Sequence, residues 1–328
     1  MRLVTFQSES GAPTLGIIRS ESILDVNKWL GDKANPPWTM LSLIAAMVGI
    51  NNQQPAQGEA SPFVYDVSRL MHDLRATNDA AFQTAGVLVP LDKAVLRAPI
   101  PNPPSNIICL GRNYPEHAVE SALARGEQVQ VDRPNYPNIF TKATSSINGP
   151  FSPIPYDSLI STQIDYEGEL AVIIGKPGKN ISLDQAMSHV FGYTILNDVT
   201  ARDIQKRHGG QFFKGKSLDG ACPMGPWIVT ADEIPDPRIL EIEVQVNGDV
   251  KQHDTVASMF FSVPEIIQEV SAGMTLHPGD IISTGTPSGV GFARNPQEFL
   301  RPGDIVQCTI TAIGSIRNEV RAIADSSQ

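Results

Sequence analysis

The sequence has few of the features that mark secreted or membrane-spanning proteins. Its 328 residues include only three cysteines, Cys109, Cys222 and Cys308, an odd number placed far apart. Apolar or small residues stand next to each of them, so we expect buried thiols in a reducing compartment and not a disulfide framework. The longest strongly apolar run, residues 40–50, is well short of the roughly 20 residues that a membrane helix needs. The N-terminal sequence also lacks the apolar stretch of a signal peptide. These absences predict a globular protein of the cytoplasm.

Positive charge is scarce as well. Lysine and arginine number 25 against 35 aspartates and glutamates, which gives a formal net charge of −10 and a pI near 5.1. This balance argues against a nucleic-acid or anionic-membrane partner. A small anionic substrate is compatible with it, provided that cations are concentrated locally. The glycine-rich segments 209–215 and 284–291 lack the Gly-x-x-x-x-Gly-Lys-Ser/Thr spacing of a phosphate loop.

A proline-dense segment, residues 98–104, predicts a stiff, extended linker and marks the expected domain boundary. The preceding residues, 1–97, predict a small α/β domain, and residues 105–328 predict a larger domain rich in strands and turns. For the first part we expect strands near Leu3–Phe6 and Thr14–Ile18 and helices near 39–48 and 65–76. For the second part we expect helices after Tyr114 and Thr200 and at 182–187 and 263–270, a hairpin turn at Asn247-Gly248, and strands at 107–110, 169–174, 190–196, 227–229, 240–246, 281–283 and 305–313.

Three carboxylates two residues apart, Asp165, Glu167 and Glu169, stand at the start of an apolar run. If this run forms one strand, its period of two places all three acids on one face. Gathered carboxylates repel one another strongly unless positive charge holds them, and Mg²⁺ is a cation that prefers such oxygen ligands. Asp198 adds a further acid at the end of another apolar run, although it could equally cap a helix. A solvated edge strand is the alternative explanation of the acidic run.

His117 and Glu120 follow Pro115, which suits the first turn of a helix. At a spacing of three, the two side chains share a helical face. A carboxylate beside an imidazole orients it and raises its basicity, as a general base requires. On spacing alone, an exposed surface pair explains these residues equally well.

Taken together, these segments resemble the fumarylacetoacetate hydrolase superfamily. Any one motif would be weak, but six of them occur in the family's order over roughly residues 105–322. They are Gly111-Arg112-Asn113-Tyr114 followed by His117 and Glu120, Asp165-Tyr166-Glu167-Gly168-Glu169-Leu170, Asn197-Asp198-Val199-Thr200-Ala201-Arg202-Asp203, Gly215-Lys216-Ser217, Cys222-Pro223-Met224-Gly225-Pro226, and Thr284-Gly285-Thr286-Pro287. Residues 1–97 look like the extra domain of the two-domain, acylpyruvase-like branch.

The resemblance implies an α+β fold, a mixed β-roll with a small α/β N-terminal domain, and a homodimer. It also implies Mg²⁺ or Mn²⁺ bound by Glu167, Glu169 and Asp198, which leaves Asp165 outside the metal ligands. The catalytic residues implied are His117 and Glu120, carried on a mobile lid, with Lys216. The residues implied to hold the substrate's carboxylate and keto oxygens are Arg112, Arg202, Gln205, Lys216 and Thr286.

The activity that this resemblance implies is metal-dependent hydrolysis of a carbon–carbon bond in a β-diketo acid. An acylpyruvate or fumarylpyruvate would give a carboxylic acid and a pyruvate-like product. Decarboxylation of an oxaloacetate-type acid uses the same chelate and enolate, and lyase or dehydratase action on a 2-keto acid is a further alternative, as is a binding protein without activity. Residues 121–136 look longer than in compact acylpyruvases, so the substrate's size stays open.

Overall fold

A computed structural model describes residues 1–7, 11–34, 36–47, 67–129 and 132–323. Across these ranges, no helix is both long enough and apolar enough to cross a membrane. The elements before the proline-dense segment are β1 (Arg2–Gln7), β2 (Thr14–Arg19), β3 (Ser22–Asp25), α1 (Val26–Leu30), α2 (Met40–Met47), α3 (Val67–Ala76), α4 (Asp79–Thr84), β4 (Leu88–Pro90) and β5 (Val95–Leu96).

Strands predominate after residue 105. The elements there are β6 (Ile107–Gly111), α5 (Pro115–Arg125), β7 (Asn138–Lys142), β8 (Ile147–Asn148), β9 (Ile154–Tyr156), β10 (Ile164–Asp165), β11 (Gly168–Ile174), β12 (Gly178–Lys179), β13 (Val190–Asn197), β14 (Thr200–Ala201), α6 (Arg202–Arg207), α7 (Phe213–Lys216), β15 (Cys222–Thr230), β16 (Glu241–Val246), β17 (Asp249–Thr255), α8 (Val263–Ser271), β18 (Thr275–Leu276), β19 (Ile281–Ser283), β20 (Ile305–Ile310) and β21 (Gly314–Ala322).

One mixed sheet runs through both parts of the chain. Its strand order is β4-β3-β2-β1-β15-β13-β11-β19-β6-β7, with β5 beside β1 and β8 beside β15. The pairs β19–β6 and β15–β8 are parallel, and the other pairs are antiparallel. Strand β1 pairs with β15, with Arg2 opposite Val229. The division at 98–104 stays a prediction, but strands from both sides of it share this sheet.

A second sheet, β17-β16-β20-β21-β9, packs against the central strands of the first. The two sheets approach closely at Gly168, where an added Cβ would lie only 2.3 Å from Cγ2 of Val244. Strands β16 and β17 are joined at Asn247-Gly248, whose φ angles of 55° and 89° suit the predicted hairpin turn. The α+β class with a mixed sheet, which the sequence predicts, is confirmed.

Two local predictions are wrong. Asp165, Glu167 and Glu169 do not share a strand, because Asp165 pairs with Thr200 in a separate two-stranded sheet while β11 begins only at Gly168. The predicted helix at 182–187 is a turn that leads into a 3-10 helix at Ala186–His189. The other predicted elements occur within a few residues of their expected bounds, and Val48, Tyr65 and Asp66 lie outside the described residues.

Candidate active site

Four strand ends meet at one edge of the large sheet. The start of β11 adjoins the ends of β13 and β19, since both strands run antiparallel to β11, and β6 runs parallel to β19. Helix α5 follows β6, while α6 and α7 follow β13. The topology therefore brings the polar motifs of the sequence, which are far apart along the chain, to a single place.

Three buried carboxylates form the centre of this place. Glu167, Glu169 and Asp198 each offer an oxygen atom, and these atoms lie within 4.8 Å of one another. Glu169 Oε2 accepts a hydrogen bond from the Ser283 hydroxyl and another, 2.9 Å long, from the Gly285 N–H. Burial, together with repulsion by Asp198 and Glu167, raises the pKa of Glu169 well above its usual range. The group therefore needs positive charge to hold all three carboxylates ionised, and its all-oxygen donor set fits a divalent cation.

Lys216 supplies part of that charge. Its Nζ lies 2.6 Å from Glu167 Oε2 and 2.7 Å from Asp198 Oδ2. Burial disfavours the charged form of Lys216, but Asp198 and Glu167 outweigh it and raise the pKa of this lysine. Burial likewise opposes ionisation of Glu167, yet Lys216 and Arg202 lower the pKa of Glu167 well below its usual range. Lys216 thus contacts two of the three carboxylates, and of these Glu167 is held ionised by its cationic neighbours.

Lys142, at the end of β7, is a site residue that the sequence did not reveal. Its fully buried Nζ donates to Asp198 Oδ1 at 2.7 Å, to the Val199 carbonyl at 3.2 Å and to the Lys216 carbonyl. It fixes one side of Asp198 while Lys216 occupies the other. The only signal available was a lysine after the mixed run 138–141, which carries no distinctive spacing.

Asp165 has a different role from its neighbours. Its two oxygens accept from the backbone N–H groups of Tyr166, Gly291 and Phe292 and from Arg202 Nε at 2.8 Å. Arg202 in turn donates to Glu167 Oε1 at 2.6 Å through Nη2. Asp165 therefore anchors Arg202 and the 289–292 loop. It lies outside the group of three carboxylates.

His117 and Glu120 do form a pair on α5. His117 Nδ1 lies 2.8 Å from Glu120 Oε1, and Glu120 Oε2 accepts from the Gly289 N–H at 2.9 Å. The carboxylate is therefore fixed between the helix and the 289–292 loop. With Nδ1 engaged, Nε2 is the imidazole nitrogen left for proton exchange. His117 is only 5% exposed, so the alternative of an exposed surface pair is excluded.

A small cavity joins these groups. Its volume is about 20 Å³, room for about one water molecule, so a substrate enters only if the surrounding side chains or α5 shift. A larger cavity of about 240 Å³, between the N-terminal strands and residues 100–102, contains none of the predicted site residues. The small cavity is lined by Leu110, Gly111, Arg112, His117, Ser121, Arg125, Phe140, Glu167, Arg202, Gln205, Phe212, Lys216 and Thr286.

The other predicted substrate residues lie at the rim and walls of this cavity. Gln205 Oε1 accepts from Arg202 Nη1 at 3.4 Å. Thr286 Oγ1 donates to the Gly168 carbonyl at 2.9 Å and accepts from Gln252 at 2.8 Å. Arg112, with φ of 54°, donates to Glu127 Oε2 at 2.9 Å. The structure thus brings all the predicted site residues together and adds Lys142, Arg125 and Gln252.

A buried acidic triad below a pocket with lysine, arginine and a histidine–glutamate pair defines a site that could bind a divalent metal and an anionic ligand. The family model for the C-terminal domain of fumarylacetoacetate hydrolase matches residues 106–321. The chain therefore belongs to the fumarylacetoacetate hydrolase family.

Several relatives resemble nearly the whole chain. The oxaloacetate tautomerase YisK of Bacillus subtilis (strain 168) is 42% identical over 307 residues, which cover 93% of this chain and 94% of the relative. A fumarylacetoacetate hydrolase from Exiguobacterium antarcticum is 37% identical with a TM-score of 0.74, covering 98% and 100% of the two chains. A maleylpyruvate hydrolase from Sphingobium sp. SYK-6, solved with manganese(II) and pyruvate, is 27% identical with a TM-score of 0.71, covering 99% and 100%. Members of the family thus include tautomerases and hydrolases.

Proposed function

We propose that the protein is an Mg²⁺- or Mn²⁺-dependent enzyme that interconverts the keto and enol forms of oxaloacetate or a closely similar β-keto acid. The observation that carries the proposal is that His117, paired with Glu120, lines the same small cavity as Glu167, a member of the acidic triad. The 42% identity to an oxaloacetate tautomerase over almost the full length of both chains supports this reaction over others.

Glu167, Glu169 and Asp198 would hold the metal ion. When bound, such an ion polarises the C1 carboxylate and C2 oxygen of a 2-keto acid and favours the enolate. Asp198 is kept in position by Lys142, and Glu167 by Arg202. The fit is chemical as well as geometric, because burial and the neighbouring carboxylates raise the pKa of Glu169, and a cation would offset both effects.

The proton transfer belongs to His117. In the keto-to-enol direction, its Nε2 accepts the proton that leaves C3, and the resulting imidazolium returns that proton to the C2 oxygen as the enol forms, so that His117 ends neutral. Glu120 accepts a hydrogen bond from Nδ1 and so stabilises the imidazolium. Lys216 donates to the C2 oxygen while negative charge develops there, and Arg202 and Gln205 orient the C1 carboxylate. The reverse reaction uses the same groups in the opposite sense.

Hydrolysis of an acylpyruvate or fumarylpyruvate is the second candidate. The same histidine can take a proton from water, and the hydroxide then attacks the distal carbonyl. The likeness to a maleylpyruvate hydrolase supports this reaction. Decarboxylation of oxaloacetate needs the enolate but no base for water, so the His117–Glu120 pair favours it least. A homodimer in the cytoplasm, as the resemblance and composition imply, stays a prediction.

Three assays on one preparation separate these reactions. Enol absorbance of oxaloacetate follows tautomerisation above the uncatalysed rate, pyruvate release follows decarboxylation, and acylpyruvate absorbance follows hydrolysis, each with Mg²⁺. We expect His117→Ala to lower kcat/KM for tautomerisation by about 10²–10⁴-fold, the contribution of a general base, and decarboxylation by much less. His253→Ala removes an exposed histidine and serves as the control. Tautomerisation that stays at the uncatalysed rate with the wild type, or that survives intact in His117→Ala, contradicts the proposal.

A further inference from the structure

Arg125 is a wall residue of the small cavity, and no motif of the sequence points to it. It ends helix α5, just before Gly126, whose φ of 68° terminates the helix. His117, Ser121 and Arg125 are spaced by four, so they lie on one face of α5, and all three line the cavity. Helical side chains lean toward the N-terminus, which directs the long arginine side chain back along this face.

Two aromatic rings and a second guanidinium stand near the Arg125 guanidinium. Its Cζ lies 6.0 Å from the ring centroid of Phe212 and 5.7 Å from that of Phe292. Burial and the neighbouring guanidinium of Arg112 lower the pKa of Arg125. The Arg125 side chain is 22% exposed, and a charge-assisted hydrogen bond to an anionic ligand is stronger at such a partly shielded cation than in open solvent.

Among the residues that the structure describes, Arg125 has only a weak counter-ion. Its Nη1 lies 4.0 Å from Glu127 Oε1, at the limit of an ion pair, and the other oxygen of Glu127 accepts a 2.9 Å hydrogen bond from Arg112. Glu127 therefore compensates the positive charge of Arg112, whereas the positive charge of Arg125 is largely uncompensated. Of the two arginines at this rim, Arg125 is the one with a charge to offer a ligand.

The net charge of the site also favours an anionic group at Arg125. Four buried carboxylates stand against three buried cations, a net charge of minus one, and a bound divalent cation makes the site plus one. One substrate carboxylate neutralises that charge, and Arg125 provides a further positive charge for a second carboxylate. The groups counted are Asp165, Glu167, Glu169 and Asp198 against Lys142, Arg202 and Lys216.

We propose that Arg125 binds the distal carboxylate of the substrate and thereby selects dicarboxylic keto acids over keto acids with an uncharged tail. The inference rests on the proposed function for the position of the first carboxylate over the acidic triad. Ser121, one turn before Arg125 on the same helical face, offers a hydroxyl donor to the same carboxylate. The substrate class is thereby narrowed to a 2-keto acid with a second, terminal carboxylate.

The test compares ligands that differ only in that carboxylate. Binding of 2-oxoglutarate and 2-oxopentanoate, which have chains of equal length, is measured by calorimetry in the presence of Mg²⁺. We expect the wild type to bind the dicarboxylate about tenfold to a hundredfold more tightly, as a hydrogen-bonded charge pair implies. In Arg125→Met this preference falls to near one, with the affinity for 2-oxopentanoate retained, and Arg125→Lys keeps part of it. Arg238→Met removes a charge from an exposed arginine and controls for the overall change in net charge.

Steady-state rates on oxaloacetate and its 4-methyl ester accompany the binding data. We expect Arg125→Met to raise KM for oxaloacetate more than it lowers kcat, because the residue holds the substrate and exchanges no proton. If the wild type binds 2-oxoglutarate and 2-oxopentanoate with equal affinity, including equally weak affinity, the inference is overturned. It is also overturned if Arg125→Met loses affinity for both ligands by the same factor. A wild type that shows the preference but has no tautomerase activity contradicts the proposed function and leaves the role of Arg125 standing.

Discussion

The acidic triad allows a sharp test of metal binding, because two of its members should respond in opposite ways to the same chemical change. In metal-free protein at neutral pH, Glu167→Gln removes a carboxylate that is paired with Lys216 and Arg202. Breaking a buried ion pair from one side costs about 3–5 kcal/mol, since the partner charges stay buried. Glu169→Gln instead removes a carboxylate whose pKa is raised by burial and by like charges. We expect the first variant to be less stable than the wild type and the second to be more stable.

The pH dependence of the Glu169 effect has a definite sign. Because its pKa is higher in the folded protein, the wild type loses stability as pH rises from about 4.3, the usual glutamate value, through the raised folded pKa. Glutamine does not titrate. The stabilisation by Glu169→Gln should therefore be absent near pH 4 and should grow as the pH increases.

Thermal unfolding gives the magnitudes. For 328 residues, an unfolding entropy of about 2.1 cal/mol/K per residue converts 1 kcal/mol into a change in Tm of about 1.5 °C. Glu167→Gln should thus lower Tm by about 4–7 °C. A divalent ion at a hundred times its Kd stabilises the folded state by about 2.7 kcal/mol, which should raise Tm of the wild type by about 4 °C. Both glutamine variants should lose most of this rise.

The control is Glu241→Gln, which removes an exposed carboxylate at the start of β16 and should change neither Tm nor the response to Mg²⁺. If Glu169→Gln keeps the full Mg²⁺-dependent rise in Tm, the ion binds elsewhere. If Glu169→Gln is less stable than the wild type in the absence of metal, the neighbouring carboxylates do not destabilise ionised Glu169 as inferred.

Two further variants test the residues around the triad. Lys216→Met should lower kcat/KM for every reaction of the site, because the ammonium that stabilises the enolate is lost, and an unchanged kcat/KM would place the substrate elsewhere. Asp165→Asn should lower the free energy of unfolding by about 3–5 kcal/mol, because Arg202 loses a buried partner. It should leave the number of metal ions bound per chain at its wild-type value, and loss of metal binding at retained fold would make Asp165 a ligand.

Local patterns predicted most of the fold because the strands and helices carry their signals within a few residues. Strands such as β13 and β19 are continuous apolar runs, and α8 begins with Ser262 and Glu265 as a capping box. The long-range arrangement could not be derived in this way. Nothing in Arg2–Gln7 indicates that this strand pairs with β15, more than 200 residues away. The acidic strand was predicted wrongly for the same reason, because pairing of Asp165 with Thr200 is a tertiary effect that overrides the period-two pattern.

Site residues that belong to a sequence motif could be predicted, whereas site residues outside any motif could not. His117, Glu120 and the three carboxylates stand in segments whose spacing is informative. Lys142 and Arg125 come from segments without such spacing, and each joins the site only through the fold. A buried lysine or arginine is not visible in a sequence, since either residue is usually exposed.

The bonds of Lys216 couple the two parts of the proposed site. Lys216 is only 2% exposed, and its ammonium is compensated by Glu167 and Asp198, the same carboxylates that would hold a metal ion. Ligation would withdraw part of their charge from Lys216, and a buried ammonium with less compensation gains more from a further anion. The oxygen of an enolate is such an anion. Metal and substrate should therefore each increase the affinity for the other, since coupling between two binding events is reciprocal. Glu167 and Asp198 therefore hold Lys216 charged and in place. The full charge of Lys216 becomes available to the substrate only when a metal ion binds these two carboxylates.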